Sequence, residues 1–89
     1  MQELEITINN RLGLHARAAA KFVQLAGRFR AQITLSKDGH TVDGKSILGI
    51  LTLAAARGTI LFLRADGGDE SEAILALSTL IEDKFGEGQ

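Results

Sequence analysis

The chain has 89 residues, 45 % hydrophobic and 24 % charged, which suits one small domain with a single apolar core. Because it has no cysteine, disulfides, thiol redox pairs and thiolate metal sites are excluded. The net charge is only −1, but residues 1–45 carry seven Lys or Arg and four acidic residues, whereas residues 46–89 carry three and seven. The basic first half predicts a partner that is acidic or bears phosphate. Nucleic acid fits less well, because four Phe without Tyr or Trp make a poor stacking platform.

Nothing in the sequence predicts a membrane segment. No apolar run approaches the roughly 18 residues that would cross a bilayer, and residues 1–10 lack the basic and apolar segments of a signal peptide. We therefore expect no membrane partner, a cytoplasmic location and one domain over residues 1–89.

The first predicted elements are a strand and a helix. Leu4, Ile6 and Ile8 alternate with polar residues, which predicts a half-buried strand over residues 2–8. Apolar side chains at helical spacing then predict a helix over residues 16–27. This apolar stripe consists of Ala19, Ala20, Val23 and Ala26.

A β-hairpin is predicted next. Residues 31–37 alternate apolar and polar side chains as a half-buried strand does. The Asp38-Gly39 pair is typical of a tight two-residue turn. We therefore expect a short return strand over residues 40–43, at the edge of a sheet.

Two helices and a strand are predicted in the second half. Residues 47–55 form a brief helix weakened by Gly49, and residues 59–65 are apolar on both faces, as a covered central strand is. Asp69 and Glu72 resemble a capping box that starts a third helix. The apolar stripe of the second helix is Ile47, Ile50, Leu51 and Ala54. That of the third helix is Ala73, Ile74, Leu77, Leu80 and Ile81, before a stop at residues 84–86.

The order of these elements, β-α-β-β-α-β-α, defines the expected fold class. Strands in this order with short connections favour one mostly antiparallel sheet, with the helices packed on a single face. The sequence therefore predicts a two-layer α+β domain.

His15 is the residue most suited to chemistry, because it lies at the predicted first position of the first helix. The backbone N–H groups of a first turn have no carbonyl partners and bind anions. We interpret the ring as a cap that accepts an N–H from Arg17 or Ala18, which would leave its capping nitrogen unprotonated and nucleophilic. A phosphoryl group transferred there would lie among free amides and beside the Arg17 guanidinium. Gly13 permits a positive φ or a close approach just before it.

The alternative for His15 is a plain helix cap beside a solvated Arg17. No acidic residue lies near His15 in the sequence to orient its ring. The sequence has no HxxxH or HExxH pair and no phosphate-binding glycine loop, so we expect neither a metal nor a cofactor. His40 is interpreted as an exposed residue of the hairpin turn.

Ser46 is the second candidate for a functional residue. It is either only the N-cap of the second helix or also a site of phosphorylation. Ile47, Leu48 and Leu51 cannot all face inward on so short a helix. One or two of them would form an exposed apolar patch beside the basic region, as docking surfaces do.

Two motifs resemble the HPr family, the histidine-containing phosphocarriers of the bacterial phosphoenolpyruvate:sugar phosphotransferase system. GLHAR at residues 13–17, before an alanine-rich helix, is similar to the active-site signature of that family. GKSILGIL at residues 44–51 is similar to its regulatory serine segment. The resemblance covers essentially the whole chain and implies an open-faced β-sandwich, with a four-stranded sheet and three helices on one face.

The resemblance also implies a function. His15, with Arg17 beside it, would accept a phosphoryl group on Nδ1 from phosphorylated enzyme I and pass it to the IIA domains of sugar permeases. The protein would be a monomeric, stoichiometric carrier without a cofactor. Ser46 would be phosphorylated where the host has an HPr kinase/phosphorylase, giving a form that binds a transcription regulator. The partner-binding residues would be Ala16, Ala20, Gln24, Ile47, Leu48 and Leu51.

One position departs from the family pattern, since Ala18 stands where the family usually has proline. Ala18 restores one N–H donor to the first turn, and we expect transfer to survive with a slightly looser site. The departure keeps open a regulatory paralogue, such as one of the nitrogen branch, that acts as a binding module through Ser46. A small hydrolase that uses Arg17 is the third class, although nothing in the sequence positions a water.

Overall fold

The computed structural model describes residues 1–87, whose elements follow the predicted order. The strands are β1 (Gln2–Thr7), β2 (Gln32–Lys37), β3 (His40–Asp43) and β4 (Ile60–Asp66). The helices are α1 (Ala16–Ala26), α2 (Ile47–Thr52) and α3 (Glu70–Glu82), and a 3₁₀ turn (Lys84–Gly86) follows α3.

The four strands form one sheet in the order β1-β4-β2-β3, and all neighbours are antiparallel. The register brings Leu63 of β4 opposite Leu4 of β1 on one side and Leu35 of β2 on the other. The buried side chains of every strand point to the same face, where the three helices pack. The predicted two-layer α+β fold is confirmed.

The face of the sheet opposite the helices is open, which corrects one prediction. Along β4, Leu61 and Leu63 are fully buried beneath the helices, whereas Ile60 and Phe62 are 51 % and 39 % exposed. β4 is central in the sheet, as predicted, but it is covered on one face only. Its apolar residues on the second face produced a pattern that is also typical of a strand covered on both sides.

Two apolar side chains are less buried than predicted. Leu4 points to the helix-covered face, as Ile6 does, but it is exposed because β1 is an edge strand with a neighbour on one side only. Ala20 is only partly buried, while its neighbours Ala18 and Ala19 are fully buried. Ile8 lies beyond the end of β1 and remains buried.

α2 is shorter than predicted and ends at Thr52. Ala54 has a φ of +49°, which lies in the left-handed region and cannot continue a helix. The Lys37 ammonium donates to the carbonyl of Leu53 at 2.9 Å, so a cation binds the carbonyl end of the helix.

Asp69 does not form the predicted capping box with Glu72. Its side chain makes no cap bond to α3 and instead accepts N–H bonds from Arg30 at 2.8 Å and Ala31 at 2.9 Å. The backbone N–H of Arg30 is the main reason why the pKa of Asp69 is lowered, and that of Ala31 adds to it. Asp69 thus ties the α1–β2 connection to the start of α3.

Candidate functional site

Gly13 fixes the loop that presents His15. Its φ is +69°, and a Cβ placed on it would lie 2.5 Å from the carbonyl oxygen of Ala55. The next residue, Leu14, is buried and donates its N–H to that same oxygen at 2.9 Å. The loop therefore lies directly on the backbone after α2, and His15 follows at the surface.

His15 is the N-cap of α1, with φ −78° and ψ 177°, whereas it was predicted to be the first residue of the helix. Its backbone carbonyl accepts from Ala19, but its ring makes no cap bond, so the predicted bond to Arg17 or Ala18 is wrong. Within residues 1–87, the N–H groups of Ala16, Arg17 and Ala18 have no acceptor. The open amides that favour an anion are present, and the imidazole does not block them.

The ring of His15 is held by Glu87, a residue that the sequence analysis missed. His15 Nε2 contacts Glu87 Oε2, and the two side chains are 27 % and 15 % exposed. Asn10, which is fully buried, donates from Nδ2 to Glu87 Oε1 at 2.9 Å and to the Gly13 carbonyl at 2.8 Å. Among residues 1–87, the second ring nitrogen, Nδ1, has no hydrogen-bond partner.

A left-handed reversal brings Glu87 to this position. Lys84, Phe85 and Gly86 have φ values of +55°, +55° and +74°, so the chain turns back after α3. Phe85 is buried in the core, and Lys21 of α1 donates to its carbonyl at 2.6 Å. We call residues Lys84–Glu87 the C-terminal turn.

The environment of Glu87 favours its ionised form. Burial raises the pKa of Glu87, but the hydrogen bonds from Asn10 and His15 and the charges of His15 and Lys21 outweigh burial and lower it. A carboxylate at neutral pH is therefore expected beside the ring.

A surface depression of about 590 Å³ adjoins the ring, and three of the side chains that line it are basic. Its lining residues are Arg11, Leu12, His15, Arg17, Lys21, Gly86 and Glu87. Arg17 is exposed on the first turn of α1, within reach of solvent. An anion that enters here meets both a positive field and the amides that have no acceptor within residues 1–87.

Ser46 is the N-cap of α2, and its Oγ accepts from the N–H of Gly49 at 3.0 Å, as a cap does. It does not line the depression of His15. On the same helix, Ile47 is exposed, Leu48 is 77 % exposed, and Leu51 is partly buried against the core. Two of the three apolar side chains thus face solvent.

The remaining predicted partner-binding residues form one stripe on α1. Ala16 and Gln24 are exposed and Ala20 is partly buried, at the spacing of four residues that lines one helix face. α1 packs against α2, which carries Leu48. Leu12 is exposed and lines the depression, but it was not predicted as a partner-binding residue. The feature of the sequence that could have indicated it is an apolar side chain within a polar loop.

In the part of the chain that the structure describes, no group of three or more His, Cys, Asp or Glu residues is arranged to hold a metal ion. No helix within residues 1–87 has the length and apolar character needed to span a bilayer.

A partly exposed histidine at an open helix N-terminus, beside basic side chains, is an arrangement that favours a phosphate-sized anion. Residues 2–83 match the family model described as the PTS HPr component phosphorylation site. The chain therefore belongs to the HPr family, the phosphocarrier proteins of the phosphotransferase system.

Relatives support this membership over the full length. The phosphocarrier protein HPr of Cupriavidus necator is 52 % identical over 89 residues, which cover 100 % of both chains. That of Pseudomonas aeruginosa is 52 % identical over 90 residues, again covering 100 % of both. A crystal structure of HPr from Thermoanaerobacter tengcongensis matches with a TM-score of 0.95 and 53 % identity, covering 98 % of each chain.

Proposed function

We propose that this protein accepts a phosphoryl group on His15 from phosphorylated enzyme I and transfers it to a histidine of the IIA domain of a sugar permease. The observation that carries the proposal is that, among residues 1–87, neither Nδ1 of His15 nor the first three amides of the helix that it starts have a hydrogen-bond partner. Family membership supports the same role.

The chemistry requires a nucleophile and a place for negative charge. The Nδ1 lone pair forms a bond to phosphorus while the bond between phosphorus and the histidine of enzyme I breaks, and the reverse exchange occurs on the IIA domain. The amides of Ala16 to Ala18 and the Arg17 guanidinium balance the charge on the phosphoryl oxygens. The protein would thus act as a covalent intermediate used stoichiometrically, as a carrier rather than a catalyst.

Both partners would dock on one surface beside His15. It would combine the α1 stripe with the apolar side chains of α2, next to the basic depression. Its members would be Ala16, Ala20, Gln24, Ile47, Leu48 and Leu51. A monomer in the cytoplasm, docking its two partners in turn, fits this arrangement.

Ser46 would be the site of regulation. A phosphate on its Oγ adds close to two negative charges, directly before the exposed Ile47 and Leu48. An acidic partner would then be repelled from the docking surface while the fold is unchanged. A kinase that uses ATP and a transcription regulator that binds the phosphorylated form would be its partners.

The test is phosphoryl labelling with phosphoenolpyruvate and enzyme I. We expect one acid-labile, base-stable phosphate per chain, absent in His15→Ala and retained in Ser46→Ala. His40→Ala is the matched control, because His40 is the other histidine of the chain and its ring contacts Thr52 instead, at 3.3 Å.

Two other results would contradict the proposal. Label that appears only with ATP and a kinase, and disappears in Ser46→Ala, would indicate a regulatory binding module. Turnover of a small phosphate ester without a second protein would indicate a hydrolase.

A further inference from the structure

We propose that Glu87 is a positioning residue for phosphoryl transfer, which holds the proton on His15 Nε2 both before and after Nδ1 is phosphorylated. This inference rests on the proposed function and adds to it the control of the two ring nitrogens. It assigns a role to the last residue of the described chain.

The contacts of Glu87 tie its carboxylate to the loop that carries His15. Oε2 contacts His15 Nε2, and Oε1 accepts from Asn10 Nδ2 at 2.9 Å. Asn10 is fully buried and also donates to the Gly13 carbonyl at 2.8 Å. Both oxygens are therefore fixed by groups within the same loop, so the carboxylate and the ring keep one relative orientation.

The C-terminal turn holds Glu87 from the other side. Phe85, two residues earlier, is buried in the core, and Lys21 of α1 binds its carbonyl. These contacts order the chain up to Glu87. The backbone therefore loses little further conformational freedom when the Glu87 carboxylate contacts the His15 ring.

The first consequence concerns the nucleophile. A neutral imidazole carries its proton on one nitrogen and a lone pair on the other. An ionised carboxylate only accepts hydrogen bonds, so it selects the tautomer with the proton on Nε2. The lone pair is then on Nδ1, the nitrogen that has no hydrogen-bond partner within residues 1–87.

The second consequence concerns the leaving group. When the bond from Nδ1 to phosphorus breaks, its electron pair returns to Nδ1. A ring that has kept its Nε2 proton leaves as neutral imidazole, whereas a ring that has lost it must leave as imidazolate, a far stronger base. By stabilising that proton, Glu87 would speed delivery to the IIA domain.

The charges around the ring determine whether the carboxylate can act without repelling the phosphoryl group. Glu87 comes from the C-terminal turn, Arg11 from the preceding loop, and Arg17 and Lys21 from α1. Among residues 1–87, three cations thus line the depression with one carboxylate, and this balance of charge favours a phosphoryl anion. The carboxylate also contacts the nitrogen that does not carry phosphorus.

The experiment compares Glu87→Gln with the native protein. Glutamine keeps the size of the side chain and can bond Asn10, but it has no charge. Glu5→Gln is the matched control, since Glu5 is exposed on the open face of the sheet. Two readouts are needed: the ¹⁵N chemical shifts of the ring, which report its tautomer, and the rate of transfer from the phosphorylated protein to a IIA domain between pH 6 and 9.

We expect the native protein and Glu5→Gln to show one tautomer, with the proton on Nε2. In Glu87→Gln, the ring should become a mixture of tautomers. Because its ring holds the Nε2 proton less firmly, its transfer rate on the alkaline side should be about tenfold below that of the native protein. Glu87→Asp should recover part of that loss, and urea unfolding should show that all variants are folded.

An unchanged tautomer, or an altered tautomer with a native transfer profile, would overturn the inference. These results differ from a failure of the proposed function, in which the native protein itself would take no phosphate from enzyme I. In that event the tautomer measurement, which needs no partner, would still show whether Glu87 controls the ring.

Discussion

Replacing Gly13 by alanine should disrupt the candidate site through the backbone. The new Cβ would lie 2.5 Å from the carbonyl oxygen of Ala55 and 2.9 Å from the Cα of Ala56, which are backbone atoms without a flexible end to move. The φ of +69° is also unfavourable for alanine. The loop must therefore shift, and its bond from the Leu14 N–H to the Ala55 carbonyl is lost.

The magnitude follows from these two terms. A left-handed alanine costs about 1 kcal/mol or slightly more, and a lost backbone hydrogen bond costs about 1 kcal/mol in addition. The free energy of unfolding should fall by about 2–3 kcal/mol, a large share of the total for a small domain. Gly39→Ala provides the control, because Gly39 has a φ of +83° but no atom of residues 1–87 lies within 4 Å of its Cβ position. It should lose about 1 kcal/mol.

Urea unfolding of both variants measures the difference, and labelling by enzyme I measures its effect on His15. Gly13→Ala should be the less stable by at least about 1 kcal/mol and should accept phosphate more slowly. Gly39→Ala should accept it at the native rate. Equal stabilities together with equal labelling would refute the reasoning that links this loop to the site.

Three further substitutions test single contacts. Ala18→Pro removes an N–H that has no acceptor within residues 1–87. The free energy of unfolding in urea should therefore change by less than about 1 kcal/mol, and labelling by enzyme I should persist. A larger loss of stability, or a protein that takes no label, would contradict this. Ser46→Ala should lower the free energy of unfolding by about 1 kcal/mol. Ser46→Asp can still accept the N–H bond of Gly49 and should lose less stability. Equal losses of stability in thermal unfolding would contradict a capping role for Ser46. The pKa of Asp69 is lowered mainly by the Arg30 N–H. Its contribution to stability is therefore present above the ordinary pKa of an unfolded aspartate and is lost as the pH falls through the lowered pKa of the folded protein. Asp69→Asn should therefore be less stable at pH 7 and should lose less stability on acidification, and parallel curves against pH would contradict this.

Local patterns were sufficient to predict most of the fold. The alternation in β1 and β2 and the Asp38-Gly39 turn depend on neighbouring residues, so the sequence displays them directly. Whether both faces of β4 are buried depends on whether a second layer packs on the sheet. The apolar side chains of Ile60 and Phe62 are equally compatible with an open face and with a buried one. The end of α2 was missed because Ala54, an excellent helix former, adopts a positive φ there.

The candidate site was predictable in part for the same reason. The position of His15 at a helix start follows from the glycine before it and the alanine-rich run after it. Its contact with Glu87 spans 72 positions and requires positive φ values at Lys84 and Phe85, residues that seldom adopt them. Nothing in the sequence around Glu87 indicates that its carboxylate lies beside His15.

The attachment of phosphorus to the His15 ring is the most direct test of the account. The protein would be labelled with ¹⁵N in histidine, phosphorylated by enzyme I and phosphoenolpyruvate, and observed by ¹⁵N and ³¹P NMR. Coupling between phosphorus and Nδ1 of His15, with the proton retained on Nε2, is the predicted result. Phosphorus on Nε2, or on a residue other than His15, would contradict it.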